Sequence, residues 1–260
     1  MNLNIDLSFI KEDPVRLYEI RTIKDFLVRN PSASISEILE KRKSGIPLPY
    51  ILNEAYFYEH IFYVDKNVLI PRSETELVVE QALNLVSENT KSILDLCTGS
   101  GIIAITLAHR FPKLSILATD ISGSALKVAT KNSLKIGTQN VEFFESDLFE
   151  NIDIEYRNKF DLIISNPPYI GEDELEDLDL SVKNYEPHLA LFAEEDGFAI
   201  YKKIIEQAQT WLAPNGHLVL EIAPRHYDEI LINLKKFGYG SISVLKDYSD
   251  RYRIAIAKSC

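Results

Sequence analysis

The most distinctive chemistry in this chain belongs to the segment Ser165-Asn166-Pro167-Pro168-Tyr169, which follows an apolar run at residues 160–164. Each proline fixes its own φ angle and favours an extended conformation of the residue before it. Because prolines lack an N–H, the loop presents acceptors, namely the side-chain oxygen of Asn166 and the carbonyl of Pro167. Such a loop suits a planar –NH2 group that donates to both oxygens while its face lies on the Tyr169 ring.

The reaction that this loop favours is attack by an amide or aromatic nitrogen on an electrophile. Such a nitrogen is a poor nucleophile because its lone pair is delocalised. Two acceptors that pull on its hydrogens favour a tetrahedral nitrogen, and stabilisation that grows towards the transition state raises the rate. Asn-Pro alone is typical of an ordinary turn. Asn-Pro-Pro-Tyr after a buried strand predicts instead that Asn166, Pro167 and Tyr169 are catalytic and that all four residues, Pro168 included, bind the substrate.

Residues 92–101 predict a nucleotide-binding turn, since a buried strand, two glycines and a helical pattern follow one another. Gly99 and Gly101 let the backbone approach a ligand, and Asp120 at the end of the next apolar run is placed to accept both hydroxyls of a ribose. The pattern G-x-G-x-x-A also fits a dinucleotide site. Asp95 favours S-adenosylmethionine over NAD, because an acid there suits a cationic amino-acid moiety better than a pyrophosphate.

The cofactor site is expected to continue after the third strand. There Asp147 offers a carboxylate to the adenine amine and Leu148 an apolar side chain to the ring, although an acid in a surface turn is the alternative interpretation of Asp147. The full set of expected cofactor-binding residues is Cys97, Thr98, Gly99, Ser100, Gly101, Asp120, Asp147, Leu148 and Asn166.

Apolar runs and helical patterns alternate through most of the chain, which implies a largely parallel sheet covered on both faces. Ligands bind at the carboxyl ends of such strands, where Asp120, Asp147 and Asn166 fall. Strands are predicted near residues 92–96, 114–119, 141–145, 160–165, 217–222, 241–246 and 252–257. Helices are predicted near residues 101–110, 122–135, 197–212 and 225–237, with a turn at Pro214-Asn215-Gly216.

Two smaller units precede this α/β domain, which is predicted to span residues 73–260. Residues 1–45 have the pattern of helices. Residues 46–72 are rich in aromatic and β-branched types and predict a β-hairpin linker with Glu59-His60 near its turn.

Three helix starts can be predicted from capping residues. Asp13-Pro14 has the pattern of an N-cap followed by proline at the first helical position. Ser34 with Glu37, and Ser73 with Glu76, have the spacing of capping boxes, and capping is the preferred role for Glu76.

Composition bounds the remaining possibilities. A net charge of −11 without a basic run argues against direct binding of nucleic acid through phosphates. Two cysteines, no apolar run of membrane-spanning length and no signal-peptide pattern at Met1 predict a soluble cytoplasmic protein.

The oligomeric state is open, with a monomer expected. No metal is expected, because the histidines are scattered without ligand spacing; they are His60, His109, His188, His217 and His226.

Taken together, the motifs resemble the HemK/PrmC family of protein-(glutamine-N5) methyltransferases that modify peptide chain release factors. The likeness runs from about Gly45 to Arg253, and several separate motifs occur in the family's order. They are Gly45-Ile46-Pro47-Leu48-Pro49-Tyr50-Ile51, Leu69-Ile70-Pro71-Arg72-Ser73-Glu74-Thr75-Glu76, the turn from Asp95 to Gly101, Ser146-Asp147-Leu148-Phe149, the loop from Asn166 to Tyr169, and Glu186-Pro187.

This resemblance implies a class I S-adenosylmethionine-dependent methyltransferase fold, doubly wound around a mostly parallel seven-stranded sheet. It implies a release factor as protein partner and S-adenosylmethionine as cofactor. Residues 1–45 would help to hold the protein substrate, with a stabilising appendage as the alternative, and Glu186-Pro187 would help to shape the substrate pocket. Cys97 stands where many such enzymes have glycine, which leaves the local backbone geometry open.

Other functions stay open at this point. Cys97 and Asn53-Glu54-Ala55 are similar to a related family that methylates a glutamine of a ribosomal protein. An adenine-N6 DNA methyltransferase uses the same loop on a flipped base, although net acidity argues against it. A non-catalytic cofactor-binding module or a nicotinamide enzyme is a further alternative. The six acids in residues 171–180 fit either a solvated loop or a lid that attracts a basic partner.

Overall fold

The computed structural model describes residues 14–260, so the predicted cap at Asp13 and the expectations for Met1 to Glu12 lie outside the described residues. The chain starts with helices α1 (Pro14–Arg29), α2 (Ile35–Lys43) and α3 (Leu48–Leu52) and a hairpin of β1 (Ala55–Phe57) and β2 (His60–Phe62). It continues with α4 (Glu74–Leu85), β3 (Ser92–Leu96), α5 (Ile102–Arg110), β4 (Ser115–Asp120), α6 (Gly123–Ile136), β5 (Val141–Glu145), β6 (Phe160–Ser165), α7 (Leu180–Tyr185), α8 (Ala199–Ala208), β7 (Leu212–Glu221), α9 (Tyr227–Lys236), β8 (Ile242–Lys246) and β9 (Tyr252–Lys258).

Seven strands form one sheet in the order β5-β4-β3-β6-β7-β9-β8. All pairs are parallel except those of β9, which runs antiparallel to both of its neighbours. Successive side chains of a strand point to opposite faces. On β3, accordingly, Ile93 packs in the core beside α4 and α5, whereas Leu94 packs in the core beside α8 and α9. The predicted mostly parallel, doubly wound α/β sheet is confirmed.

The register of the sheet brings the predicted site residues to one edge. Leu96, the last residue of β3, pairs with Thr119 of β4 and with Ser165 of β6. Asp120 pairs with Glu145, the last residue of β5. The loops that follow these four strands therefore leave the sheet side by side, which is where ligands bind in parallel sheets.

A small separate core holds the first helices together. It is formed by Ile23 of α1, Ile38 of α2, and Leu48 and Leu52 of α3. The predicted cap of α2 is present, since the N–H of Glu37 donates to the Ser34 hydroxyl. Helix α3 was not predicted; it takes up part of the segment assigned to the linker, so the hairpin itself covers only residues 55–62. The core thus crosses the predicted boundary between residues 45 and 46.

The second predicted capping box is wrong. Ser73 has helical backbone angles instead of the extended ones that a cap requires, and its side chain makes no capping bond. The Glu76 carboxylate instead accepts a hydrogen bond of 2.8 Å from the N–H of Tyr58 in the hairpin turn. Glu76 therefore ties the hairpin to α4, a tertiary role that the local spacing could not reveal.

Two other boundaries differ from prediction. The helix expected over residues 197–212 is shorter, and the turn expected at residues 214–216 lies inside β7. There the pairing with β6 shifts between Phe160 and Leu162, and Asn215 has a φ of 66°. The turn residues thus form a bulge in a long strand. Across residues 14–260, no helix has the length and apolar character needed to span a membrane.

Candidate active site

A cavity of about 240 Å³ opens at the carboxyl ends of the strands. Nine of the predicted site residues line it: Cys97, Thr98, Gly99, Ser100, Asp120, Asp147, Leu148, Asn166 and Pro168. Gly101, Pro167 and Tyr169 lie next to lining residues in the sequence and are not themselves part of the wall. The glycine turn and the Asn-Pro-Pro loop therefore face one common space.

The two glycines of the turn are needed for different reasons. Both have a positive φ, 56° at Gly99 and 83° at Gly101. A Cβ on Gly99 would meet no atom within 4 Å, whereas one on Gly101 would lie 2.6 Å from Ile105 and 3.2 Å from Ala129. Gly99 thus keeps space open at the cavity. Gly101 instead allows close packing of α5 against α6.

Cys97 adopts the left-handed backbone conformation with a φ of 59°. This answers the question of its local geometry, because the residue occupies a conformation that glycine adopts without strain. Burial raises the pKa of its thiol well above the ordinary value, and the nearby Asp120 carboxylate raises it further. The Cys97 side chain is therefore a neutral, weakly polar part of the wall.

The Asp120 carboxylate is fixed by backbone donors. Its Oδ2 accepts from the N–H of Gly99 at 2.8 Å and its Oδ1 from the N–H of Ser122 at 2.9 Å. Burial raises the pKa of Asp120, and the two N–H groups oppose that rise. Each carboxylate oxygen can accept more than one hydrogen bond, so Asp120 is still able to accept the hydroxyls of a ribose.

Replacing Asp120 with alanine should weaken binding of S-adenosylmethionine by about 1–3 kcal/mol, the scale of hydrogen bonds to a charged group. Calorimetric titration measures this loss, and thermal unfolding shows whether the fold is kept. Asp153→Ala is the matched control, because Asp153 also accepts a backbone N–H but in a turn away from the cavity. Equal affinities of wild type and Asp120→Ala would remove Asp120 from the cofactor site.

Asp95 does not face the cavity, which corrects the expectation that it lies beside a cationic ligand group. It is fully buried, and its Oδ2 accepts from the Thr98 hydroxyl at 2.6 Å and from the N–H of Ala104 at 3.2 Å. Burial raises its pKa to about 7. Asp95 therefore braces the glycine turn from inside the protein.

The acceptor loop begins where β6 ends. The amide Nδ2 of Asn166 donates to the Thr75 hydroxyl at 3.1 Å. The Tyr169 ring stacks on the buried ring of Tyr201, with centroids 6.4 Å apart and planes 6° from parallel. Burial raises the pKa of Tyr169 far above its ordinary value, so the phenol is neutral. The loop is thus attached to the core on both sides of the two prolines.

A further part of the wall was missed by sequence reasoning, except for Pro187, which the family resemblance placed at the substrate pocket. It comes from the chain after Glu186 and consists of Pro187, Leu189, Ala190, Phe192, Ile200 and Lys203. These residues follow no motif spacing, and Glu186-Pro187 was the only signal near them. Glu186 is buried, accepts the N–H of Ile70 and forms an ion pair of 2.7 Å with Arg72. This pair attaches the wall to the chain that precedes α4.

The acidic segment is ordered by its own partners. Residues Glu172–Asp177 form a short 3₁₀ helix. Arg225 approaches Glu174 to 2.7 Å and Lys183 approaches Glu176 to 3.1 Å. Part of the segment's negative charge is therefore neutralised within the chain.

A second group of polar side chains lies away from the cavity. Glu59 and His60 of the hairpin meet His109 at the end of α5, and ligand atoms of all three lie within 4.8 Å of one another. The expectation that the histidines are scattered is therefore wrong for His60 and His109, because the fold brings together these two positions, which are far apart in the sequence. The expectation that the protein needs no metal stays a prediction.

Comparisons with known proteins place the chain among methyltransferases. Residues 74–182 match the methyltransferase small domain family. A release factor glutamine methyltransferase of Fusobacterium nucleatum is 41% identical over 98% of this chain and 73% of its own length. One of Thermodesulfovibrio yellowstonii is 38% identical over 95% of this chain and 88% of its own length. A bifunctional methyltransferase of Rickettsia typhi is 37% identical over 85% of this chain, which spans 46% of that longer protein.

Solved structures share the fold at low sequence identity. A methyltransferase from Pyrococcus furiosus superposes with a TM-score of 0.56 at 18% identity, over 76% of this chain and 87% of its own. A T. thermophilus 16S rRNA methyltransferase in complex with AdoMet and guanosine gives a TM-score of 0.58 at 18% identity, over 80% and 50% of the two chains. These likenesses support the class I methyltransferase fold.

Proposed function

Because the chain belongs to the release factor glutamine methyltransferase family, we propose that it transfers the methyl group of S-adenosylmethionine to the side-chain amide nitrogen of a glutamine in a peptide chain release factor. The observation that carries this proposal is one shared cavity that has the glycine turn on one wall and Asn166 on another. A methyl donor and an amide acceptor bound at these two walls would meet inside it.

The residues of the first wall fit S-adenosylmethionine. Space is open beside Gly99, the Asp120 carboxylate suits ribose hydroxyls, and Leu148 offers an apolar surface beside the Asp147 carboxylate for adenine. The cofactor supplies an electrophilic methyl carbon activated by its sulfonium. The protein's contribution at this wall is to hold that group in a fixed position, which reduces the entropic cost of the reaction.

At the second wall Asn166, with Pro167 next to it in the loop, fits the acceptor amide. Asn166 Oδ1 and the Pro167 carbonyl accept hydrogen bonds from the two N–H groups of the glutamine side chain. These bonds strengthen as the nitrogen becomes tetrahedral, so they stabilise the transition state more than the ground state. In-line alignment of nitrogen and methyl then supplies most of the catalysis. No side chain is assigned as a base, and the proton that the nitrogen loses after methyl transfer passes to water.

The alternatives are less well supported. Relatives at 38–41% identity carry the name of the release factor enzymes, which favours that acceptor over a ribosomal protein. The net charge of −11 argues against DNA as the substrate. Isothermal titration with S-adenosylmethionine and with NAD tests the nicotinamide alternative.

The acceptor is tested with purified enzyme and a radiolabelled methyl donor. Release factor, ribosomal protein and duplex DNA are offered separately, and mass spectrometry locates the label. We expect label on one glutamine of the release factor. Label on a ribosomal-protein glutamine or on adenine would contradict the proposed acceptor.

The acidic segment predicts how the rate depends on salt. Because Glu172 to Asp179 carry excess acid, the rate at subsaturating release factor should fall as salt rises.

A further inference from the structure

Asn166 is connected to two buried polar residues that come from distant parts of the chain. Thr75 on α4 and Glu221 at the end of β7 are each only 1% exposed. The Asn166 Nδ2 lies 3.1 Å from Thr75 Oγ1, and Thr75 Oγ1 lies 2.7 Å from Glu221 Oε2. Neither Thr75 nor Glu221 was assigned a role from the sequence.

When Glu221 is ionised, which its pKa of about 7 places above about pH 7, the chemistry of the three groups fixes the direction of every hydrogen bond. An ionised carboxylate only accepts, so the Thr75 hydroxyl must then donate its single proton to Glu221. The Thr75 oxygen is then left as an acceptor, and the group of Asn166 that satisfies it is the NH2. The amide oxygen of Asn166 must therefore point the other way.

This direction matters because an asparagine side chain has two faces of opposite chemistry. If the amide were turned over, its NH2 would face the NH2 of the substrate, and two donors cannot bond to each other. A buried relay that allows only one orientation would remove that unproductive state. Arg253 and Arg72 both favour the ionised form of Glu221, which opposes the effect of its burial.

Resting on the proposed function, we propose that Thr75 and Glu221 are positioning residues that hold the Asn166 amide with its oxygen towards the acceptor amide. Thr75 also lines the cavity. The relay acts on turnover through Asn166, and binding of S-adenosylmethionine does not depend on it.

Thr75→Val tests this relay, because valine keeps the shape of threonine and removes the hydroxyl. We expect kcat on the release factor to fall at least about tenfold, the scale on which outer partners of an essential side chain act, while the Kd for S-adenosylmethionine changes less than twofold. Thr75→Ser should restore most of the turnover. Thr106→Val is the matched control, since Thr106 is also buried and bonds only the carbonyl of Ile102.

A double-mutant cycle separates positioning from simple structural support. Asn166→Asp places oxygens on both sides of the side chain, so its orientation no longer matters. The Asn166→Asp variant is expected to turn over slowly. Adding Thr75→Val to it should lower kcat less than twofold. A further tenfold loss in the Asn166→Asp background would overturn the proposal, because a structural defect would be additive. Full turnover in Thr75→Val would also overturn it.

Hydrogen exchange of the Asn166 side chain tests the relay without substrate. The two amide protons are assigned in ¹⁵N-labelled protein by the loss of their signals in Asn166→Ala. One proton should be protected from exchange in wild type and Thr75→Ser and should lose that protection in Thr75→Val. Equal exchange in all three would overturn the inference. The exchange measurement needs no turnover, so it tests the inference independently of the proposed function. If the wild-type enzyme did not methylate the release factor, only the proposed function would be refuted.

Discussion

Replacing Asn166 with alanine is expected to reduce kcat on the release factor by about 10²–10³-fold or more, the scale found when one preorganised hydrogen-bond partner of a transition state is removed. The substitution removes one of the two acceptors for the glutamine amide, while the Pro167 carbonyl remains. Single-turnover kinetics with labelled methyl donor measure the chemical step directly. The affinity for S-adenosylmethionine should change much less, because Asp120 and the glycine turn are intact.

Two further variants make this result specific. Asn166→Asp keeps an acceptor oxygen and should retain part of the activity, although its charge alters the cofactor environment. Asn233→Ala is the control, because Asn233 is half-buried like Asn166 and its side chain bonds the carbonyl of Glu229 on the same helix. Near wild-type turnover in Asn166→Ala would refute the proposed role of the loop.

Sequence reasoning identified the parts of the site that depend on short-range patterns. Gly99 and Gly101 could be placed because a strand, two glycines and a helix follow one another within a few residues, and Asp120 because it ends the next strand. The strand order then brings these residues together by a general rule of parallel sheets. The nine lining residues predicted from the sequence all have this local origin.

The parts that sequence reasoning missed depend on long-range contacts. Thr75 lies 91 positions from Asn166 and 146 from Glu221. Glu76 has the spacing of a cap but bonds the hairpin, since a free N–H at Tyr58 is a partner that only the folded chain provides. Asp95 was misplaced for a related reason. A strand-end position does not specify whether a side chain turns to the ligand or to the interior, where the Thr98 hydroxyl binds it.

Two buried carboxyl groups should make the free energy of unfolding of the cofactor-free protein fall as pH rises. Burial raises the pKa of Asp95 from 3.8 to about 7 and that of Glu221 from 4.5 to about 7. Between about pH 4 and pH 7 the folded protein therefore binds more protons than the unfolded chain does, and stability is lost as the pH rises through that range. At about 1.4 kcal/mol per pKa unit, Asp95 accounts for about 4 kcal/mol and Glu221 for about 3 kcal/mol.

Urea unfolding at pH 5, 6, 7 and 8 measures this slope, and amide substitutions assign it. Asp95→Asn and Glu221→Gln each remove one titrating group while keeping an acceptor oxygen for Thr98 or Thr75, so each should flatten the fall by up to about 3 kcal/mol across the range. Glu155→Gln, at an exposed position, should leave the slope unchanged. If both buried variants kept the wild-type slope, the two carboxyl groups would have to be ionised in the folded protein over the whole range. Their burial would then be offset by Thr98, Thr75 and Arg253 far more strongly than their contacts indicate.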